Sequence, residues 1–170
     1  MSKMRQPFQV SVYPVRVVDK ACEYLLLRRV PKPKLGLDRF WQGITGGIEE
    51  GEGIVEAAMR ELDEETKLVP AALEQVDYSY SFPVDDRWRH MYAAGVEEIL
   101  EYVFVAFIDG YREPSISQEH DKWRWCKLKR ALGMLKYPGN VEALKRCDRL
   151  VKIRLDGWRN MARHNNRSRG

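Results

Sequence analysis

Apolar and polar positions along the chain predict short strands interleaved with helices. Phe8 to Val18 is rich in valine and predicts a strand, with Pro14 marking an edge or a bulge because proline has no N–H to give a ladder. Tyr24 to Leu27 predicts a second, more buried strand. Residues 30–38 hold two prolines, a glycine and several charges and predict a loop. Residues 43–53 contain five glycines and predict another loop, one with tight backbone demands. Ile54 to Lys67 predicts a helix, with Val55, Ala58, Met59 and Leu62 forming the buried stripe. Tyr78, Tyr80 and Phe82 alternate with Ser79 and Ser81, as in a half-buried strand. Glu101 to Asp109 is nearly continuous in apolar residues and predicts a central strand. Trp123 to Leu128 predicts a short strand, and Lys129 to Lys136 a helix that Pro138-Gly139-Asn140 breaks. A last helix starts near Val141 and places Val141, Leu144, Cys147 and Val151 on one side. Strands and helices mix without regular βαβ alternation, so the fold class is α+β, or an α/β/α sandwich.

Composition bounds the function. A chain of 170 residues fits one domain, and 44% hydrophobic with 32% charged residues is an ordinary globular mixture. The longest strongly apolar run, Tyr102 to Ile108, is too short to span a bilayer, so no membrane partner is expected. The N-terminal residues lack the apolar stretch of a secretory signal, which makes a cytoplasmic location the expectation. Cys22, Cys126 and Cys147 are scattered, form no C-x-x-C pair, and are expected to be buried or half-buried thiols. The net charge of +4 suits an anionic ligand but does not by itself argue for nucleic acid. Much of the excess lies after residue 155, where Arg159, Arg163, Arg167 and Arg169 face only Asp156. Residues 1–155 therefore read as the domain, and 156–170 as a solvated, frayed basic tail.

The segment with chemistry in it runs from Gly46 to Glu65. Glu61, Glu64 and Glu65 stand at i, i+3 and i+4, which puts three carboxylates on one helical face, rotated about a third of a turn from the apolar stripe. Each like-charged pair at this spacing costs roughly 0.2–0.5 kcal/mol on an exposed helix. A hard divalent cation removes that cost, and Mg²⁺, which also binds substrate phosphates, suits carboxylate oxygens. Arg60 is placed to pair with Glu52 or Glu64, and the glycines allow close approach of backbone to a metal or a phosphate. Taken alone, an acidic helix of this kind also reads as a solvated face with modest ion pairs.

The same segment resembles the Nudix box, G-x5-E-x7-R-E-U-x-E-E-x-G-U with U aliphatic, through Gly46, Glu52, Arg60, Glu61, Leu62, Glu64, Glu65 and Leu68. Lys67 stands where that family has glycine, which puts the helix terminus in question. Leu27-Arg28-Arg29, Phe40-Trp41-Gln42, Thr45-Gly46, Tyr92-Ala93 with Gly95-Val96, and Glu119-His120 with Trp123 or Trp125 are similar to one branch, the dihydroneopterin triphosphate diphosphatases, also described as dATP pyrophosphohydrolases. The resemblance implies the Nudix α/β/α sandwich around a mixed sheet. It implies Mg²⁺, with Mn²⁺ as an alternative, on Glu61, Glu64, Glu65 and the Gly46 carbonyl. It implies Glu119 as a further ligand or general base, and Arg28 and Arg29 at phosphate oxygens. Trp41, His90 and Tyr92 become candidate contacts to the base or pterin. The reaction implied is cleavage of a nucleotide-like triphosphate to a monophosphate and pyrophosphate, with Glu61, Glu64 or Glu119 taking the proton from water and Arg60 beside them.

Each outer residue has a plainer reading too. Trp41 suits a core, His90 a polar loop, and His120 a role orienting the Glu119 loop, while Trp123 and Trp125 share a strand face and suit packing. Two other functions compete with the free triphosphate: removal of pyrophosphate from a 5′-triphosphate on RNA, with the basic tail tracking the strand, and a non-catalytic nucleotide-binding regulatory module. Sequence leaves monomer and homodimer both open.

Overall fold

A computed structural model describes residues 4–167. Its elements are β1 (Phe8–Val18), β2 (Ala21–Arg29), β3 (Phe40–Gln42), β4 (Ile44–Gly47), α1 (Ile54–Thr66), β5 (Ala72–Pro83), β6 (Glu98–Phe107), β7 (His120–Lys127), α2 (Leu128–Met134) and α3 (Pro138–Arg167), with short 3-10 turns at Pro33–Leu35 and Arg89–Met91.

The strands form one mixed sheet. β1 runs parallel to β6 from Phe8 to Val15, and the other pairings between these strands are antiparallel. β1 and β2 form a hairpin at Val15–Val18 and Ala21–Tyr24 and then splay apart. β3 and β4 fill the gap: β3 pairs with the far end of β2, and β4 with Gln9–Val12 of β1. Pro14 falls between the last residue paired with β4 and the first paired with β2. The expected edge or bulge is therefore corrected. Pro14 lies in a central strand, where β1 exchanges one neighbour for the other and a missing N–H costs no ladder bond on that side. The glycine-rich segment is corrected as well, because residues 44–47 are strand rather than loop.

Helix α1 covers one face of the sheet over Val10, Val12, Leu25, Leu27, Ile44 and Phe104. Helices α2 and α3 cover the other face over Tyr13, Val15, Tyr24, Leu26, Val103 and Val105. The alternation of β1 explains the two layers, since odd and even residues face opposite helices. Trp123 and Trp125 pack against the α1 layer, and Val141 against the α3 layer beside the buried Leu144, Cys147 and Val151. All three cysteines are free, two of them buried.

The stripe expected on α1 is partly wrong. Ala58 and Leu62 are buried, but Val55 is 53% and Met59 40% exposed. The buried face is Ala57, Ala58, Glu61, Leu62, Glu65 and Thr66. Opposite this helix, β4 presents Gly46, and the Glu61 carboxyl group fills the space that a side chain there would need. Two of the three glutamates thus lie on the inward face and are not turned away from it.

Helix α3 begins at Pro138, three residues earlier than expected, with proline in its first turn where no N–H is needed. It also continues through residues 156–167 as an exposed helix, while Arg169 lies outside the described residues. Among the described residues, no helix is long and apolar enough to cross a membrane.

Candidate active site

The turn before α1 is built by its own acids. The Glu52 carboxylate accepts the Glu49 N–H at 2.9 Å, and Glu56 accepts the N–H of Gly53, the residue capping the helix, at 3.1 Å. Arg60 ties the turn to the helix and to β4. Its Nε and Nη2 donate to the two Glu52 oxygens at 2.7 and 3.0 Å, and Nη2 also donates to the Gly47 carbonyl at 2.9 Å. Its Nη1 meets Glu61 Oε1 at 2.7 Å and Glu64 Oε2 at 3.3 Å. One positively charged nitrogen therefore stands between two of the three glutamates.

Gly46 lies directly against the Glu61 carboxyl group, and a Cβ at position 46 would overlap it. Burial raises the Glu61 pKa to about 7; Arg60 opposes that shift, while Glu64 and Glu65 add to it. Glu65 moves the other way. Burial would raise it, but hydrogen bonds from His120 and Ser117, together with nearby Arg29, outweigh burial and lower it. Ser117 Oγ donates to Glu65 Oε2 at 2.6 Å, and His120 Nδ1 stands 2.8 Å from the same oxygen. Glu64 is more open, with its side chain 55% exposed.

Helix α1 stops where required even without the expected glycine. Lys67 takes the left-handed conformation at φ 57°, and its N–H bonds to the Asp63 carbonyl. The β6–β7 loop caps two of the last carbonyls, with Ser115 N–H on Thr66 and Ser117 N–H on Glu65. That loop also delivers Glu119, whose carboxylate pairs with Arg29 at 3.1 Å.

Arg28 and Arg29 alternate onto opposite faces of β2. Arg29 joins the Glu65 and Glu119 group, and its buried Nε has no partner among the described residues. Arg28 instead chelates Asp121 at 2.7 and 3.1 Å, and Arg39 reaches the same acid at 3.2 Å. Trp41 packs against the α3-side core and carries Arg28 and Arg124 within about 6 Å of its ring. His90 and Tyr92 belong to the β5–β6 loop, where Tyr92 bridges to Arg5. No hydrogen bond among the described residues joins either of them to the glutamates. Gln42, missed at the sequence level as a participant, is buried and lies 3.1 Å from His120 Nε2. Neither residue type at positions 42 and 120 announces that contact, because it forms only when β3 and β7 flank β2.

The donors suit a hard divalent cation. Glu61, Glu64, Glu65 and the Gly46 carbonyl offer oxygen only, and Arg60 Nη1 already places positive charge between two of these acids. Among the described residues no three acidic, histidine or cysteine side chains are converged as a finished cage. Arg60 draws two of the glutamates one way, and His120 with Ser117 draws the third another.

The NUDIX domain pattern matches residues 7–147. The chain belongs to the Nudix family. This Nudix hydrolase is 32% identical over 126 residues to a dihydroneopterin triphosphate diphosphatase of Haemophilus influenzae, covering 72% of this chain and 76% of that one. It is 33% identical over 139 residues to a Myxococcus xanthus protein named octanoyltransferase, covering 81% of this chain but only 36% of that longer one. Among solved structures it resembles the Escherichia coli dihydroneopterin triphosphate pyrophosphohydrolase, with a TM-score of 0.67 at 28% identity, covering 84% of this chain and 95% of that one. Mixed sheet, helices on both faces and α+β class are those of these relatives.

Proposed function

We propose that this Nudix hydrolase is a Mg²⁺-dependent pyrophosphohydrolase that cleaves dihydroneopterin triphosphate or a (d)NTP such as dATP to the monophosphate and pyrophosphate. The observation that supports it best is the convergence of Glu61 and Glu64 on one cationic nitrogen beside the side-chain-free space at Gly46.

Glu61, Glu64, Glu65 and the Gly46 carbonyl hold the cation, with Mn²⁺ as a substitute. When bound, Mg²⁺ supplies charge neutralisation at phosphate oxygens and lowers the pKa of water. Arg29, with an unpartnered buried nitrogen, meets the phosphate chain. Glu61, Glu64 and Glu119 are the candidate proton acceptors. Glu119 is tethered to Arg29 and more exposed, and enters as a further ligand. Trp41, with Arg28 on its face, offers a flat surface to a heterocycle.

The RNA reading relied on the basic tail. In this fold, Trp158 of α3 packs on Phe107, which pairs with Val15 of β1, whereas Gly46 pairs with Val10. At about 3.3 Å per strand residue these two rungs of β1 stand roughly 15–17 Å apart along the strand. The free triphosphate is the favoured substrate because the relatives named for a small triphosphate cover most of the chain.

The test is pyrophosphate release with Mg²⁺ from dihydroneopterin triphosphate, dATP, other nucleoside triphosphates, ADP-ribose and triphosphorylated RNA. Preference for the pterin compound or dATP is expected, with turnover sharply reduced in Glu64→Gln and Glu65→Gln. Equal turnover in the parent and both variants would overturn the metal assignment, and no release from any compound would overturn the activity.

A further inference from the structure

The buried polar atoms around Glu65 come from four separate segments. Glu65 is on α1, Ser117 on the β6–β7 loop, His120 at the start of β7, and Gln42 at the end of β3. His120 and Gln42 are 6% and 7% exposed. His120 presents Nδ1 to Glu65 Oε2 at 2.8 Å and Nε2 to Gln42 Nε2 at 3.1 Å.

We propose that His120 is a positioning residue for Glu65, and that Gln42 fixes which ring nitrogen faces it. The inference rests on the reading of Glu65 as a cation ligand. An amide nitrogen carries only donors, so His120 Nε2 must be the acceptor toward Gln42. The ring hydrogen then belongs on Nδ1, facing the carboxylate, where a lone pair would be repelled. Ser117 Oγ adds a second donor to the same oxygen at 2.6 Å. Ser117 Oγ bonds Oε2, and His120 Nδ1 stands 2.8 Å from the same oxygen, off the line of an ideal hydrogen bond; among the described residues no group is bonded to Oε1. One oxygen is thus held by the protein while its twin is kept in a fixed direction for a ligand. A glutamate on an open helix samples several rotamers, and this frame removes that freedom before the ligand arrives.

The inference separates His120 from an ordinary core histidine by the identity of the nitrogen that matters. In His120→Asn the side-chain amide nitrogen can take the place of Nδ1, and in His120→Gln that of Nε2. Full-length protein is titrated with Mn²⁺ in the absence of substrate, with free Mn²⁺ read by electron paramagnetic resonance, and turnover is split into kcat and KM. His120→Asn is expected to stay within about threefold of the parent in Mn²⁺ affinity and kcat. His120→Gln is expected to lose roughly tenfold or more in both, with KM little changed, a size consistent with loss of an outer-shell partner. Equal behaviour of the two variants would overturn the inference. If Glu65→Gln itself leaves Mn²⁺ affinity unchanged, the reading of the site fails instead. Should either variant not fold, ¹⁵N imidazole resonances of the parent decide: the Nδ1–H tautomer at His120 supports the inference, and the Nε2–H tautomer overturns it.

Discussion

The Glu61 carboxyl group occupies the space beside the Gly46 α-carbon that a side chain would otherwise take. Strand β4 and helix α1 meet there with the Glu61 carboxyl between them, pressed against the backbone at Gly46. Gly46→Ala is expected to push Glu61 aside without unfolding the chain, because the displaced group is the end of a flexible side chain. A misplacement of about 1 Å at a reacting group costs on the order of 10²-fold in rate. Pyrophosphate release should fall by about that factor with little change in Tm. Unchanged turnover would show that the position of Glu61 does not matter.

Metal affinity should depend on pH through the same residue. Glu61 titrates at about 7 because it is buried, and a cation can take only its ionised form. Apparent Mg²⁺ affinity should rise about tenfold per pH unit below about 7 and level off above it. Calorimetric titrations of the free protein from about pH 5.5 to about pH 8.5 would trace the curve. A profile flat across neutrality would contradict it.

A second buried carboxyl acts on stability. Glu101 is 1% exposed on β6, where burial raises its pKa against hydrogen bonds from Tyr80 and Gln9. The folded chain holds this proton more tightly than the unfolded chain. The stabilising contribution is full below the ordinary carboxyl pKa of 4.5 and is lost as pH rises from there through the raised folded value. Glu101→Gln removes the dependence. Urea unfolding from about pH 4 to about pH 8 should show the variant gaining on the parent as pH increases, and a constant gap would be evidence against the burial effect.

Lys67 carries a left-handed backbone that favours glycine. It is partly compensated by an exposed ion pair with Asp63 at 2.9 Å, a contact that contributes only about 0.3–0.5 kcal/mol. Lys67→Gly should therefore stabilise the chain by roughly 0.5–1 kcal/mol, since the left-handed conformation costs a side-chain-bearing residue about 1–2 kcal/mol. Denaturant midpoints of the two proteins test this, and a loss of stability would mean that the ion pair outweighs the strain.

Most elements were legible because their patterns are local. The valine-rich β1, the apolar β6 and the long α3 carry their periodicity in their own residues. What escaped depends on neighbours. Pro14 reads as an edge residue until β4 and β2 are seen to divide one side of β1 between them. Val55 and Met59 complete a valid helical stripe, but Gly46 of β4 leaves room for Glu61, and the face carrying Ala57 and Glu61 is buried instead. In the candidate site, the spacing of Arg60, Glu61, Glu64 and Glu65 is written along one helix. The approach of Gln42 and His120 to Glu65 is not, since these three residues span 78 positions and meet only through the sheet. His120 was expected to orient the Glu119 loop; its N–H bonds the Ser117 carbonyl in that loop, and its ring faces Glu65 as well.

The parallel pairing of β1 with β6 has a consequence for the chain during synthesis. The ladder joins Phe8–Val15 to Leu100–Phe107, so it cannot close until about a hundred residues have emerged. Until then the β1–β2 hairpin can form, with β3 added to β2 and β4 to β1, but one whole edge of a valine-rich strand stays open to any passing strand. Interrupted translation before residue 98 should leave fragments that aggregate through this edge, while completion of β6 seals it.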